Sequence, residues 1–188
     1  MEEVKKRIRD RKVLVLIRSF LKAGIMIEGS LKHSATGTPQ GGVLSPLLAN
    51  IFLHRLDQRY DRWMPRPREK PTNAAARRQF DRRHGKPTFY MVRYADDFVL
   101  LVVGSRQQAE AERDALAQFL WNDMRLELSP EKTLITRPEE GFVFLGYRVV
   151  RTKSYKNGNM VGNLRIPVGK LKSLRQEIKK RTSRATLV

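Results

Sequence analysis

This chain of 188 residues carries 38 Lys and Arg against 19 Asp and Glu, a formal charge of +19, and such an excess is the footprint of a polyanionic partner, nucleic acid first. The absence of cysteine excludes disulfides, thiolate zinc sites and a cysteine nucleophile. No apolar run is long enough to span a bilayer, and Met1-Glu-Glu-Val-Lys-Lys-Arg7 is too charged for a signal peptide. The sequence therefore reads as a soluble, cytoplasmic protein of about one domain, with no membrane partner.

Apolar positions Val4, Ile8, Val15 and Ile17, with Leu14, Phe20 and Leu21, predict a helix over 4–21 that Gly24 ends. Ile25–Ile27 and Leu31–His33 flank Glu28-Gly-Ser30 as a short hairpin. A loop, Thr36-Gly-Thr-Pro-Gln-Gly-Gly42, enters a largely buried helix over 43–57. From Arg62 to Lys86, nine Lys or Arg stand against Glu69 and Asp81 with almost no apolar periodicity, which predicts a basic insertion that is mobile or ordered by its ligand. Phe89–Val103 reads strand, tight turn, strand, and Ser105 caps a helix whose face carries Ala109, Leu116, Phe119 and Leu120. Short strands are expected at 126–128, 133–136 and 142–150. Asn157-Gly158 predicts a primed hairpin turn, and a basic amphipathic helix runs from Leu171 to Thr182.

Asp96 and Asp97 lie between the two apolar runs, where only a turn lets adjacent side chains converge. Adjacent carboxylates repel, and they share a proton, pair with cations or bind a hard divalent ion such as Mg2+. A polar turn would read the same in isolation. Helices and strands mix without a βαβ rhythm, which predicts an α+β fold, an antiparallel sheet with helices on one face.

Four separated pieces then line up: Gly37-Thr-Pro-Gln-Gly-Gly-Val-Leu-Ser-Pro-Leu-Leu-Ala-Asn50, Tyr94-Ala-Asp-Asp97, Leu126-Glu-Leu-Ser-Pro-Glu-Lys-Thr133 and Phe144-Leu-Gly-Tyr-Arg148. In this order and spacing the sequence resembles the reverse transcriptases and maturases encoded by group II introns, over almost its whole length, from the second half of the palm to the start of the thumb. The resemblance implies a right-hand polymerase palm over 1–166, with a basic insertion at 62–87, and the first thumb helix over 167–188.

It also implies an RNA-directed DNA polymerase that uses a two-ion Mg2+ site, an RNA template, a DNA primer and dNTP, together with binding of intron RNA. By the same resemblance Asp96 and Asp97 are metal ligands and catalytic, with Asp96 the stronger ligand. Gly37, Pro39, Gln40, Gly41 and Gly42 form the template and nucleotide loop. Lys132 is a catalytic lysine near the departing pyrophosphate, and Leu145, Gly146 and Tyr147 form the primer grip. The glycines let a backbone approach a nucleotide, and the Gln40 amide can both donate and accept. Arg93 either contacts nucleic acid or balances the acids. His33, His54 and His84 show no metal-ligand spacing.

One departure limits the expectation. Polymerases of this class take a further metal-binding aspartate from an upstream palm strand, and Glu2, Glu3, Asp10 and Glu28, the acids before Gly37, lie in no apolar strand. The sequence therefore reads as a piece without fingers and most of the thumb, weak or inactive alone, and prone to self-association through exposed palm surface. The competing reading is a non-catalytic, maturase-like binder of intron RNA.

Overall fold

The computed structural model describes residues 1–22, 25–27, 30–32 and 44–182. Its contacts gather into two units, Met1–Gln108 and Ala109–Val188. The first unit begins with α1 (Glu2–Lys5) and α2 (Arg11–Lys22), so the periodicity over 4–21 yields two helices rather than one. The break is made by Asp10, whose Oδ1 accepts from the Lys12 and Val13 amides at 2.8 and 3.4 Å and so starts a new helix. Strands β1 (Ile25–Ile27) and β2 (Ser30–Lys32) then pair antiparallel.

Helix α3 (Ser45–Tyr60) opens with Pro46 in its first turn, where the missing N–H costs nothing. Burial is confined to its second half, at Leu56 and Tyr60, while Leu47 and Phe52 are exposed. It is thus less buried than its run of apolar residues suggests, because α1 and β3 are its main neighbours among the described residues.

Strands β3 (Thr88–Tyr94) and β4 (Asp97–Val103) form a two-stranded antiparallel ribbon in the register Thr88↔Val103 to Tyr94↔Asp97. Alternation gives the ribbon two faces. Phe89 and Met91 are buried on the α3 side, while Tyr90, Val92, Tyr94, Leu101 and Val103 face away and remain exposed. Rings close the packed side: Trp63 meets Phe89 edge-on at 4.8 Å, and Tyr60 lies 5.7 Å from Phe89.

The basic insertion has internal structure of its own, built on ion pairs. Residues 71–83 form α4 (Pro71–Arg83), which packs on β3. Asp81, only 2% exposed, accepts a fork from Arg62 at 2.9 and 3.0 Å and the Trp63 indole N–H at 3.0 Å. Arg77 clasps Glu69 and donates to the carbonyls of Arg62 and Met64, and Arg78 donates to the Trp63 carbonyl. A buried aspartate is tolerable here because three N–H donors, two from Arg62 and one from Trp63, converge on it.

Helix α5 (Arg106–Phe119) starts in a reciprocal capping box: Ser105 Oγ accepts from the Gln108 amide at 3.2 Å and Gln108 Oε1 from the Ser105 amide at 2.8 Å. A wider turn, Leu120–Met124, extends it, and Leu116, Leu120 and Met124 are buried on one side.

In the second unit, β5 (Phe142–Phe144), β6 (Tyr147–Lys153) and β7 (Met160–Arg165) form an antiparallel sheet in that order. Residues 126–128 and 133–136, expected as strands, are irregular. Leu126 and Leu128 are half-buried at alternate positions, as in a strand, yet no ladder partner pairs with them among the described residues, and Leu134 is 77% exposed. The β6–β7 connection is a longer loop, Ser154 to Asn159, rather than a two-residue turn at Asn157-Gly158. The Ser154 amide donates to the Asn159 carbonyl at 2.7 Å, and Gly158 alone takes the left-handed φ, +70°. Helix α6 (Val168–Arg181) follows and exposes Leu174 and Ile178. The architecture is the expected α+β one, with antiparallel strands throughout and, in the first unit, helices packed on β3.

Candidate active site

Tyr94 and Asp97 are cross-strand partners, so the β3–β4 turn consists of Ala95 and Asp96 alone. Asp96 occupies the tip and Asp97 opens β4 on the open face of the ribbon. Both carboxylates are exposed, and no hydrogen bond or ion pair from the described residues reaches either. Ala95 adopts φ +53°, the left-handed conformation that primed two-residue hairpin turns demand and that L-residues avoid.

The turn is braced from below. Arg93 donates from Nε and Nη2 to Asp57 of α3 at 2.8 and 2.7 Å, and from Nη1 to Asn50 Oδ1 at 2.8 Å and the Ala95 carbonyl at 2.7 Å. Asn50 and Asp57 are two helical turns apart and so share one face of α3. Partial burial by itself would raise the Asp57 carboxyl, but the Arg93 fork, its charge and the nearby His54 outweigh it and hold the group below its ordinary 3.8. The same fork raises Arg93. An open cavity of about 230 Å³, lined by Asp57, Asp61, Met64, Met91 and Arg93, lies beside this brace. Sequence reasoning placed Arg93 near the acids but missed Asn50 and Asp57. Their spacing of seven, which puts two polar side chains on one face of α3, was the available signal.

The loop residues Gly37, Pro39, Gln40, Gly41 and Gly42, and His33, lie outside the described residues. Phe98 pairs across the strands with Arg93 and is half-buried, as packing requires, whereas Tyr94 is exposed. His54 lies 3.4 Å from Asp57, and His84 stacks on Phe80 at 4.2 Å. Lys132, in the second unit, is exposed in a turn closed by the Thr133 amide and hydroxyl donating to the Ser129 carbonyl at 3.0 and 2.6 Å.

Also in the second unit, Phe144 and Tyr147 pair directly, leaving Leu145 and Gly146 as the β5–β6 turn, at φ +49° and +79°. A Cβ at Gly146 would sit 2.3 Å from Lys170 Nζ, so the glycine leaves room for an ammonium group from the start of α6.

The donor chemistry at the first turn suits Mg2+. This ion takes oxygen ligands, keeps several waters and is commonly held by one or two carboxylates together with substrate phosphates. Asp96 and Asp97 supply two unpaired carboxylates, and no cluster of three His, Asp or Glu stands with them among the described residues.

The reverse transcriptase (RNA-dependent DNA polymerase) family matches residues 2–149. "Protein YkfC" of Escherichia coli (strain K12) is 37% identical over 166 residues, which cover 82% of this chain and 43% of the relative. "Group II intron-encoded protein LtrA" of Lactococcus lactis subsp. cremoris is 34% identical over 196 residues, 82% of this chain and 33% of the relative. "Nuclear intron maturase 4, mitochondrial" of Arabidopsis thaliana is 27% identical over 179 residues, 84% of this chain and 22% of the relative. The chain thus spans less than half the length of these relatives. The Asp96–Asp97 hairpin and its flanking motifs fall within the matched span: this chain belongs to the reverse transcriptase family, on the branch encoded by group II introns.

Proposed function

We propose that Asp96 and Asp97 are the carboxylates through which this chain takes part in template-directed DNA synthesis on RNA. The observation that carries the reading is the turn itself: two exposed carboxylates on a strained two-residue hairpin, unpaired among the described residues and braced by an arginine. In this reading the two aspartates hold Mg2+, which when bound makes a primer hydroxyl more acidic and neutralises charge on departing pyrophosphate. The hairpin fixes where the carboxylates stand. Gly37, Gln40, Gly41 and Gly42 receive the incoming nucleotide and template, Lys132 offers a proton or a charge to pyrophosphate, and Leu145, Gly146 and Tyr147 hold the primer end. The palm extends to 166 and α6 begins the thumb. The insertion and α6 present cations to RNA, with Arg66, Arg68, Lys70, Arg82 and Arg83 the insertion's contribution.

We further propose that a third metal-binding aspartate comes from sequence outside this chain, in keeping with the larger size of its relatives. The test is Mg2+-dependent extension of a DNA primer on an RNA template. The chain alone should incorporate little, and the longer protein robustly. Robust extension by the chain alone that disappears in Asp96→Ala would overturn the incomplete-site reading, and a longer protein indifferent to Asp96→Ala would overturn the catalytic one. The maturase alternative draws on the intron maturase among the relatives. It predicts RNA binding that survives loss of both aspartates and falls steeply with salt.

A further inference from the structure

We propose that Arg93 is a positioning residue that couples the end of the Gly37–Asn50 segment to the aspartate turn, an inference that rests on the catalytic reading of that turn. Its side chain is 12% exposed and four of the five guanidinium N–H groups are engaged: Nε and Nη2 on Asp57, Nη1 on Asn50 and on the Ala95 carbonyl.

A structural strap between α3 and β3 would need only the Asp57 fork. The additional donor goes to the carbonyl of Ala95, the left-handed residue immediately before Asp96. That bond fixes the peptide plane between Ala95 and Asp96, and with it the direction in which the Asp96 side chain leaves the backbone. Asn50 closes one of the four motifs and Tyr94-Ala-Asp-Asp97 is another. Arg93 is the physical join between them, because one planar, rigid guanidinium touches α3 at two places and the turn at a third. A shift of α3 is therefore transmitted to the Ala95–Asp96 peptide without a flexible intermediate. Lysine, a point donor on a jointed stem, cannot hold the three acceptors in one plane.

The charge swap Asp57→Arg/Arg93→Asp separates strap from positioner, since it keeps an ion pair between α3 and β3 and removes the donor to the Ala95 carbonyl. Three readouts on the full chain decide: thermal melting, hydrogen exchange of the amides at 94–97, and Mn2+ affinity by electron paramagnetic resonance. The swap is expected to melt close to the parent chain while the turn amides exchange about tenfold faster and Mn2+ binds about tenfold more weakly. Turn exchange and Mn2+ affinity equal to the parent's would overturn the inference. Should the swap fail to fold, Arg93→Lys carries the same comparison: faster turn exchange supports positioning, parent-like exchange overturns it. A parent chain that binds no Mn2+ counts against the metal-site reading alone, and the exchange rates still judge Arg93.

Discussion

The turns Ala95–Asp96 and Leu145–Gly146 each join two antiparallel strands through two residues, and each forces a non-glycine residue into left-handed φ, +53° and +49°. They differ in what holds them and what they offer. The first presents two carboxylates and is tied by Arg93 to a neighbouring helix, so its direction is fixed by a partly buried network. The second presents a backbone with a glycine, and its nearest charged neighbour is the flexible end of Lys170. A site that must place metal ligands needs a rigid brace. A surface that lets a polymer backbone pass needs clearance and an adjustable cation.

The largest effect should fall on the first turn: Asp96→Ala is expected to lower Mg2+-dependent extension by the longer protein roughly 10²- to 10³-fold, with melting unchanged. At the second turn, Gly146→Val should destabilise by about 1–2 kcal/mol, because a side chain must adopt left-handed φ while displacing Lys170, and primer affinity should drop with it; denaturant titration and primer binding measure the two. Ala95→Gly relieves strain and should stabilise by up to about 1 kcal/mol, whereas Leu145→Gly should gain less because Leu145 is half-covered and loses packing. The comparison fails if the two glycine variants shift melting equally.

Acid should distinguish the turns most gently. Asp57 has a folded value below 3.8, so its contribution is fully present above 3.8 and is lost as pH falls through that lower value. Hydrogen exchange at 94–97 should therefore accelerate, relative to its intrinsic rate, on acidification below about pH 4, ahead of that at 144–147, where Lys170 rather than a carboxylate is the charged neighbour. Equal acceleration at both turns would remove the special role of the brace.

How much of this was legible in the sequence follows from the kind of force at work. The aspartate turn was legible because its apolar flanks set the register, and Ser105 was legible as a cap because its spacing to Gln108 is local chemistry. Helix α4 was not, because its order comes from arginine forks onto Asp81 and Glu69 rather than from apolar periodicity. Residues 126–128 alternate like a strand but lack the partner that would make them one. The Arg93 brace joins residues 36 and 43 positions apart, a distance that no local pattern encodes.

A two-stranded ribbon is marginal in water, and β3–β4 has its own roof in Trp63 and Tyr60 over Phe89, with Trp63 anchored by the same Asp81 that organises α4. The insertion is therefore no detachable appendage. Anyone trimming it to improve expression, or exchanging it with a relative's, would have to carry the Trp63–Asp81 joint across intact, or lose the aspartate hairpin along with the loop.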